Sequence, residues 1–226
     1  QNLQNSILRE PKMGIASSLI FCLLLNSPVS PGIFGRVFQT NRTSLLLVET
    51  GEKRLSLAQA RDIAKECQIA DDITLFNMLA SRLGSFEELS VADLFAGSGA
   101  LGLEALSRGA RHTTFIENAR GARRALAKNI ATCDEVDRTV IINADGTNPP
   151  PTDRPVNLAF LDPPYQTSLM EPALFALDKR GWFHEDTIIV AEMSKTENLM
   201  LPEFLLPIDS RKYGAAQVLF LIRAAR

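Results

Sequence analysis

A short apolar run that leads into a glycine-rich turn constrains the fold of this chain more than any other feature. The run Val91–Phe95 is followed by glycines at positions 97, 99 and 102 and by an alanine-rich segment. This pattern predicts a buried parallel strand, a tight turn and the amino terminus of a helix. Glycine lets the backbone approach a ligand where a Cβ would collide. The G-x-G-x-x-G spacing therefore indicates a site for a nucleotide-like cofactor at the carboxyl end of the strand.

Around this turn, strand-like and helix-like segments alternate along the chain. Because the strands are apolar throughout, the alternation predicts a parallel sheet covered by helices on both faces. The last two strands have no helix between them, which predicts an antiparallel hairpin at one edge of the sheet. The predicted strands are Ser90–Phe95, His112–Glu117, Thr139–Asn143, Val156–Leu161, Thr187–Glu192, Phe204–Ile208 and Gln217–Ile222. The predicted helices begin near Ser56 and Asp72 (the latter ending at Gly84) and span Ala100–Arg108, Ala119–Ala131, Ser168–Asp178 and Thr196–Met200.

The length of 226 residues suits one α/β domain with an extension. We expect residues 56–226 to form the domain and residues 1–55 to form a poorly defined extension, disordered or containing a hairpin. Within the extension, Gly14–Leu25 is apolar but shorter than the roughly 20 residues that span a bilayer. It is similar to the apolar core of a secretory signal, but we favour a segment packed on the domain or a disordered leader, because the rest of the chain predicts an intracellular cofactor.

Charge and cysteine usage restrict the partners and the compartment. Residues 1–60 contain six Lys/Arg and three Glu, a net charge of +3, whereas the whole chain has a net charge of −2. This mild asymmetry favours contact between the N-terminal part and a polyanion. Cysteines at 22, 67 and 133 lie far apart and only two histidines are present, which indicates neither a disulfide framework nor a metal site. The sequence predicts a reduced, cytoplasmic protein.

Acidic residues follow two further predicted strands. Glu117 ends the second strand, 24 residues beyond Asp93, where nucleotide-binding α/β folds place an acid that accepts hydrogen bonds from ribose hydroxyls. Asp145 follows the third strand and faces the same predicted crevice. It either accepts a hydrogen bond from the amine of an adenine ring or simply forms an Asp-Gly turn with Gly146.

The segment Asp162-Pro163-Pro164-Tyr165 follows a buried strand directly. Prolines fix φ and lack N–H groups, so the acid and the neighbouring carbonyl are presented as a rigid set of acceptors beside an aromatic ring. Acceptors alone suit a donor-rich planar group such as the amine of a nucleobase. The alternative is a Pro-Pro loop in which Tyr165 packs against the domain.

These motifs together resemble class I S-adenosylmethionine-dependent methyltransferases that modify exocyclic amines. More narrowly, they resemble the RsmD family of bacterial 16S ribosomal RNA guanine-N2 methyltransferases. The resemblance covers roughly residues 73–222 and is strongest in 91–110, 115–118 and 161–165. It implies a Rossmann-like, seven-stranded, mostly parallel sheet with an antiparallel C-terminal hairpin. It also implies S-adenosylmethionine as cofactor, 16S rRNA or the small-subunit particle as partner, and no membrane or metal.

The resemblance also assigns roles to individual residues. Asp162, Pro163 and Tyr165 would be the catalytic residues and would bind the target nucleobase. Asp93, Gly97 and Gly99 would line the methionine end of the cofactor. Glu117 would hold its ribose and Asp145 its adenine. The full set of implied cofactor residues is Asp93, Phe95, Gly97, Gly99, Glu117, Asn118 and Asp145.

Other functions stay open at this point. The Asp-Pro-Pro-Tyr motif would equally serve an N6-adenine methyltransferase acting on DNA or on another RNA. Members of the family have a basic segment before Leu75-Phe76-Asn77, whereas this chain has Asp71 and Asp72 there. This departure keeps a cofactor-binding but inactive homologue as a third hypothesis. A dehydrogenase is a remote fourth, because the Asp-Pro-Pro-Tyr motif has no evident role in one.

Overall fold

The computed structural model describes residues 69–164, 168–213 and 216–224, in which helices cover both faces of a seven-stranded sheet. The helices are α1 (Ile69–Leu83), α2 (Ala100–Ser107), α3 (Arg120–Thr132) and α4 (Met170–Lys179), with a 3-10 turn at Val136–Arg138. The strands are β1 (Ser90–Leu94), β2 (His112–Ile116), β3 (Thr139–Ile142), β4 (Val156–Leu161), β5 (Phe183–Ser194), β6 (Leu205–Tyr213) and β7 (Ala216–Arg223).

The strand order is β3-β2-β1-β4-β5-β7-β6. Strands β1 to β5 pair in parallel, whereas β7 pairs antiparallel with both β5 and β6. The predicted mostly parallel sheet with an antiparallel C-terminal hairpin is therefore confirmed. The order reverses between β1 and β4, and in open α/β sheets ligands bind at the carboxyl ends of the strands beside such a reversal.

Two hydrophobic clusters lie on the two faces of the sheet. On one face, α1, α2 and α3 pack over residues such as Phe115 and Phe160, which are fully buried. On the other face, α4 packs Leu174 and Leu177 against apolar residues of β1, β4 and β5. Because β1 and β4 are buried on both faces, their residues are mostly apolar and do not alternate with polar ones, as expected for central parallel strands; Asp93 is the buried acid of β1.

The structure departs from the sequence prediction in the C-terminal half. Strand β5 begins four residues earlier than expected and β6 extends to Tyr213. The predicted helix Thr196–Met200 is wrong: residues 195 and 196 form a turn closed by a hydrogen bond from Glu197 N to Ser194 O at 2.9 Å. Pro202 follows two residues after this segment, and proline disfavours helical geometry in the residue before it.

Several predictions fall on residues outside the described ranges. These are the N-terminal extension, the apolar segment Gly14–Leu25, the helix from Ser56 and the aromatic residue Tyr165. The division into an extension and a domain stays a prediction for that reason. Within the described ranges, no helix has the length and apolar character needed to cross a membrane.

Candidate cofactor and catalytic site

The carboxyl ends of four strands lie side by side in register. Leu94, the last residue of β1, pairs with both Ile116 of β2 and Leu161 of β4. Because these pairs close their strands, the residues that follow, including Glu117 and Asp162, leave the sheet at one edge. The register thus brings together acids that lie far apart in the sequence, as the sequence analysis predicted.

The turn after β1 has an unusual backbone. Phe95, Gly97 and Gly99 have φ angles of 57°, 54° and 82°. A non-glycine residue at positive φ costs of the order of 1–3 kcal/mol, so Phe95 adopts this conformation only because its surroundings hold it. At Gly99 a Cβ would lie 2.3 Å from Cδ1 of Leu126 and 3.2 Å from Cε1 of Phe115, so a side chain there would be strained by its φ and would displace its neighbours. The first two glycines of the motif thus shape the turn itself.

Glu117 connects this turn to the end of β2. Its Oε2 accepts a hydrogen bond from Gly97 N at 2.9 Å, and its Oε1 accepts one from Ala119 N at 2.7 Å. The side chain is buried. Each carboxylate oxygen has two lone pairs, so Glu117 retains acceptor capacity beyond these two bonds. The predicted ribose-binding acid therefore also fixes the glycine turn.

Asp93 occupies the base of the same region. It is buried, and its Oδ2 accepts a hydrogen bond from Gly102 N at 2.9 Å. Burial raises the pKa of Asp93 to about 8; the Gly102 bond lowers it, and the negative charges of Asp162 and Glu117 raise it further. The carboxyl group of Asp93 is therefore largely protonated at neutral pH. Three acidic side chains thus act on one another at the strand ends.

Asp162 is exposed at the end of β4, and its charge reaches Asp93. The Asp162 carboxylate therefore lies within electrostatic range of Asp93. Pro163, the next residue, is buried, while Pro164 is exposed. Tyr165, the predicted aromatic partner, lies outside the described residues. The structure brings Asp162 and Pro163 to the predicted crevice.

The remaining predicted cofactor residues have simpler surroundings. Asp145 is exposed, and its Oδ1 accepts hydrogen bonds from Thr147 N at 2.8 Å and Thr147 Oγ1 at 2.7 Å, which lower the pKa of Asp145. It therefore forms a local turn. Asn118 is exposed, and its carbonyl accepts a hydrogen bond from Arg123. A Cβ on Gly146 would lie 2.5 Å from the ring of Phe95, so that ring rests on the loop after β3.

One residue at the site was missed by the sequence analysis. Asn129 of α3 is completely buried, and its Nδ2 donates a hydrogen bond to the carbonyl of Ser98 in the glycine turn at 2.9 Å. The available signal was its position: Asn129 lies on the face of the helix that buries Leu126 and Ile130. A polar residue on an apolar face of a helix is informative because it needs a hydrogen-bond partner when buried.

A cavity of about 820 Å³ lies at the amino ends of the strands, away from these acids. Ser90, His112 and Val156, which begin β1, β2 and β4, line it together with part of the connection between β3 and β4. That connection contains three consecutive prolines, 149–151, and forms no helix. None of the predicted site residues that the structure describes lines this cavity. The candidate site is therefore the crevice at the carboxyl ends.

Comparison with known proteins agrees with this geometry. Ribosomal RNA small subunit methyltransferase D of Escherichia coli K12 is 39% identical over 125 residues, which cover 55% of this chain and 61% of that protein. Its namesake in Haemophilus influenzae is 37% identical over 134 residues, covering 58% and 68%.

A solved structure and a family match extend this similarity. The structure of the Escherichia coli protein yhhF matches with a TM-score of 0.61 and 31% identity over 69% of this chain and 86% of that one. Residues 71–222 match the family described as Conserved hypothetical protein 95. This match spans the sheet up to the penultimate residue of β7 and includes every predicted site residue. The chain therefore belongs to the Conserved hypothetical protein 95 family, the RsmD family that its motifs resemble.

Proposed function

We propose that this protein transfers a methyl group from S-adenosylmethionine to the exocyclic N2 amine of a guanine in 16S rRNA. The observation that supports this most directly is the crevice in which Asp162 and Pro163 stand beside the glycine turn and the acids Asp93 and Glu117. The two relatives named as ribosomal RNA small subunit methyltransferases support the choice of rRNA. The aligned part of this chain spans 61% of the Escherichia coli protein. The activity of that protein is therefore proposed for this chain and not assigned to it directly.

The chemistry of the donors fits S-adenosylmethionine. This cofactor supplies an electrophilic methyl group on a positively charged sulfonium. Asp162 and Glu117 place negative charge at the strand ends, which suits a cationic ligand. At Gly97 a Cβ would meet nothing closer than the carbonyl of Phe95 at 3.9 Å, so the backbone of the turn is open to a ligand there. In this proposal Asp93, Phe95, Gly97, Gly99, Glu117, Asn118 and Asp145 bind the cofactor.

The acceptors after β4 suit the target amine. An aromatic amine is a poor nucleophile because its lone pair is delocalised into the ring. In this proposal the Asp162 carboxylate and the Pro163 carbonyl accept the two N–H groups, and so orient the nitrogen towards the methyl group. Tyr165 provides a stacking surface for a base that has left its own stack. When the nitrogen accepts the methyl group, the methyl–sulfur bond would break and the amine would lose one proton to solvent. In this proposal the chain contributes positioning and electrostatics to that step.

A second candidate is an N6-adenine methyltransferase, because acceptors at this position bind either amine. The test incubates the full chain with methyl-labelled S-adenosylmethionine and one of three substrates: small-subunit particles that lack the modification, free 16S rRNA, or duplex DNA. Mass spectrometry of the nucleosides identifies the product. We expect N2-methylguanosine in 16S rRNA. N6-methyladenine would support the second candidate, and cofactor binding by calorimetry without any transfer would indicate an inactive homologue.

A further inference from the structure

Asn129 and Glu117 hold two peptide groups of the glycine turn, and they do so from two different elements. Glu117, after β2, accepts from Gly97 N, and Asn129, on α3, donates to the carbonyl of Ser98. Ser98 lies between two glycines at positive φ. The turn is therefore fixed by side chains that are distant in sequence, in addition to its own bond from Gly99 N to the carbonyl of Ala96 at 2.7 Å.

The surroundings of Asn129 show that it is not a simple packing residue. The side chain is completely buried, and its Oδ1 has no hydrogen-bond partner within residues 69–164, 168–213 and 216–224. Burying a polar atom without a partner destabilises the folded state, and an apolar residue of similar size would avoid that penalty. Among the described residues, the hydrogen bond to Ser98 is the one that the Asn129 side chain makes. The side-chain amide thus acts on the glycine turn.

We propose that Asn129 is a positioning residue that keeps the glycine turn in its cofactor-binding conformation. The inference rests on the proposed use of S-adenosylmethionine by this turn. Because Phe95, Gly97 and Gly99 all have positive φ, other backbone conformations compete with this one. Without the Asn129 bond, the turn adopts its cofactor-binding conformation in a smaller fraction of the molecules. The apparent Kd for the cofactor rises in inverse proportion to that fraction. Once the cofactor is bound, the turn has the same conformation in the variant as in the parent, so kcat changes little.

The test compares Asn129→Ala with Asn157→Ala in the full chain. Asn157 is a matched control, because its Oδ1 accepts a hydrogen bond from Ser90 N at 2.8 Å, at the amino end of the sheet away from the turn. Each substitution removes one bond between a side-chain amide and the backbone. Calorimetry gives the Kd for S-adenosylmethionine and thermal unfolding gives the Tm. Steady-state kinetics with the unmethylated substrate that the parent methylates separate KM from kcat.

We expect Asn129→Ala to raise the Kd and the KM for S-adenosylmethionine by about tenfold or more, with kcat within about threefold of the parent. Asn157→Ala should lower the Tm without raising this Kd. A rise in Kd for Asn129→Ala that is no larger than for Asn157→Ala overturns the inference. A parent chain without affinity for the cofactor overturns the proposed function as well, which distinguishes the two failures.

A second variant tests the proposal in case the first one does not fold. If Asn129→Ala does not fold, Asn129→Ser leaves a smaller cavity and is judged by the same Kd criterion, because serine is too short to reach the Ser98 carbonyl. Hydrogen exchange of residues 93–102 should be faster in the folded variant than in the parent. Failure of both variants to fold would assign Asn129 a structural role and overturn the proposal.

Discussion

The carboxyl group of Asp93 accepts a hydrogen bond from the backbone N–H of Gly102, joining the end of β1 to the first turn of α2. The residue at the N-cap of α2 is Gly99, which has no side chain to bind the free N–H groups of that turn. Asp93 supplies the missing acceptor from another element. Its burial has an electrostatic consequence, because it raises the pKa of this acid to about 8.

Asp93 should make the stability of the protein depend on pH. Between an unfolded pKa of 3.8 and a folded pKa of about 8, the folded state retains a proton that the unfolded state has released. Raising the pH therefore favours unfolding in this window. We expect the free energy of unfolding of the parent, relative to Asp93→Asn, to fall by up to about 1.4 kcal/mol per pH unit and to level off above pH 8.

Denaturant unfolding of the two proteins from pH 5 to pH 9 measures this difference. Asparagine has nearly the same shape and can accept the Gly102 bond, so the comparison isolates the ionisation of Asp93. A difference that is flat across the window would contradict a raised pKa.

The third glycine of the motif should be required for packing rather than for ligand binding. A Cβ on Gly102 would lie 2.4 Å from Cε1 of Phe115 and 2.7 Å from Cγ2 of Thr113, so α2 would have to move away from β2. We expect Gly102→Ala to lower the free energy of unfolding by about 1–3 kcal/mol. Gly121→Ala is the matched helical control, because a Cβ there meets nothing within 4 Å. That variant should be neutral or slightly more stable, and equal losses in both would show that the contact with Phe115 is unimportant.

Glutamine should not be able to replace Glu117 without loss of stability and cofactor affinity. Its two carboxylate oxygens each accept a backbone N–H, from Gly97 and Ala119, whereas glutamine would face one of them with an NH2 donor. We expect Glu117→Gln to lower the free energy of unfolding by about 1–3 kcal/mol. The Kd for S-adenosylmethionine should also rise about tenfold as the turn loosens. Glu185→Gln, on an exposed part of β5, is the control for the charge change. An unchanged Kd for S-adenosylmethionine in Glu117→Gln would show that Glu117 does not contribute to cofactor binding.

Asp162 should affect turnover far more than cofactor binding. Replacing its carboxylate by an amide in Asp162→Asn places an NH2 donor against the N–H groups of the target amine. We expect kcat to fall about a hundredfold or more, with the Kd for S-adenosylmethionine within about threefold. Asp153→Asn removes a charge from an exposed residue of the β3–β4 connection and should leave both unchanged. A kcat close to that of the parent would exclude Asp162 from the transfer step.

Apolar runs and glycine spacing were enough to predict the sheet. Strand β4 and the start of α2 were placed as observed, because buried parallel strands are apolar throughout and glycine marks the turn before the helix. The predicted helix Thr196–Met200 failed because helix propensity over five residues is weak, and the extended pairing of β5 with β7 continues to Ser194. Local pattern thus predicted which elements form better than where they end.

The sequence by itself determined the family, most of the strand segments and the acids that end the strands, since each depends on residues close together in the chain, whereas the order of the strands came from the structure. Only the tertiary structure showed that Glu117 binds Gly97 across 20 residues, and that Asn129 binds Ser98 across 31. Such bonds depend on how strand register and helix packing bring distant segments together. No sequence periodicity predicts these contacts. The hydrogen bonds that hold the glycine turn could therefore be identified only from the tertiary structure.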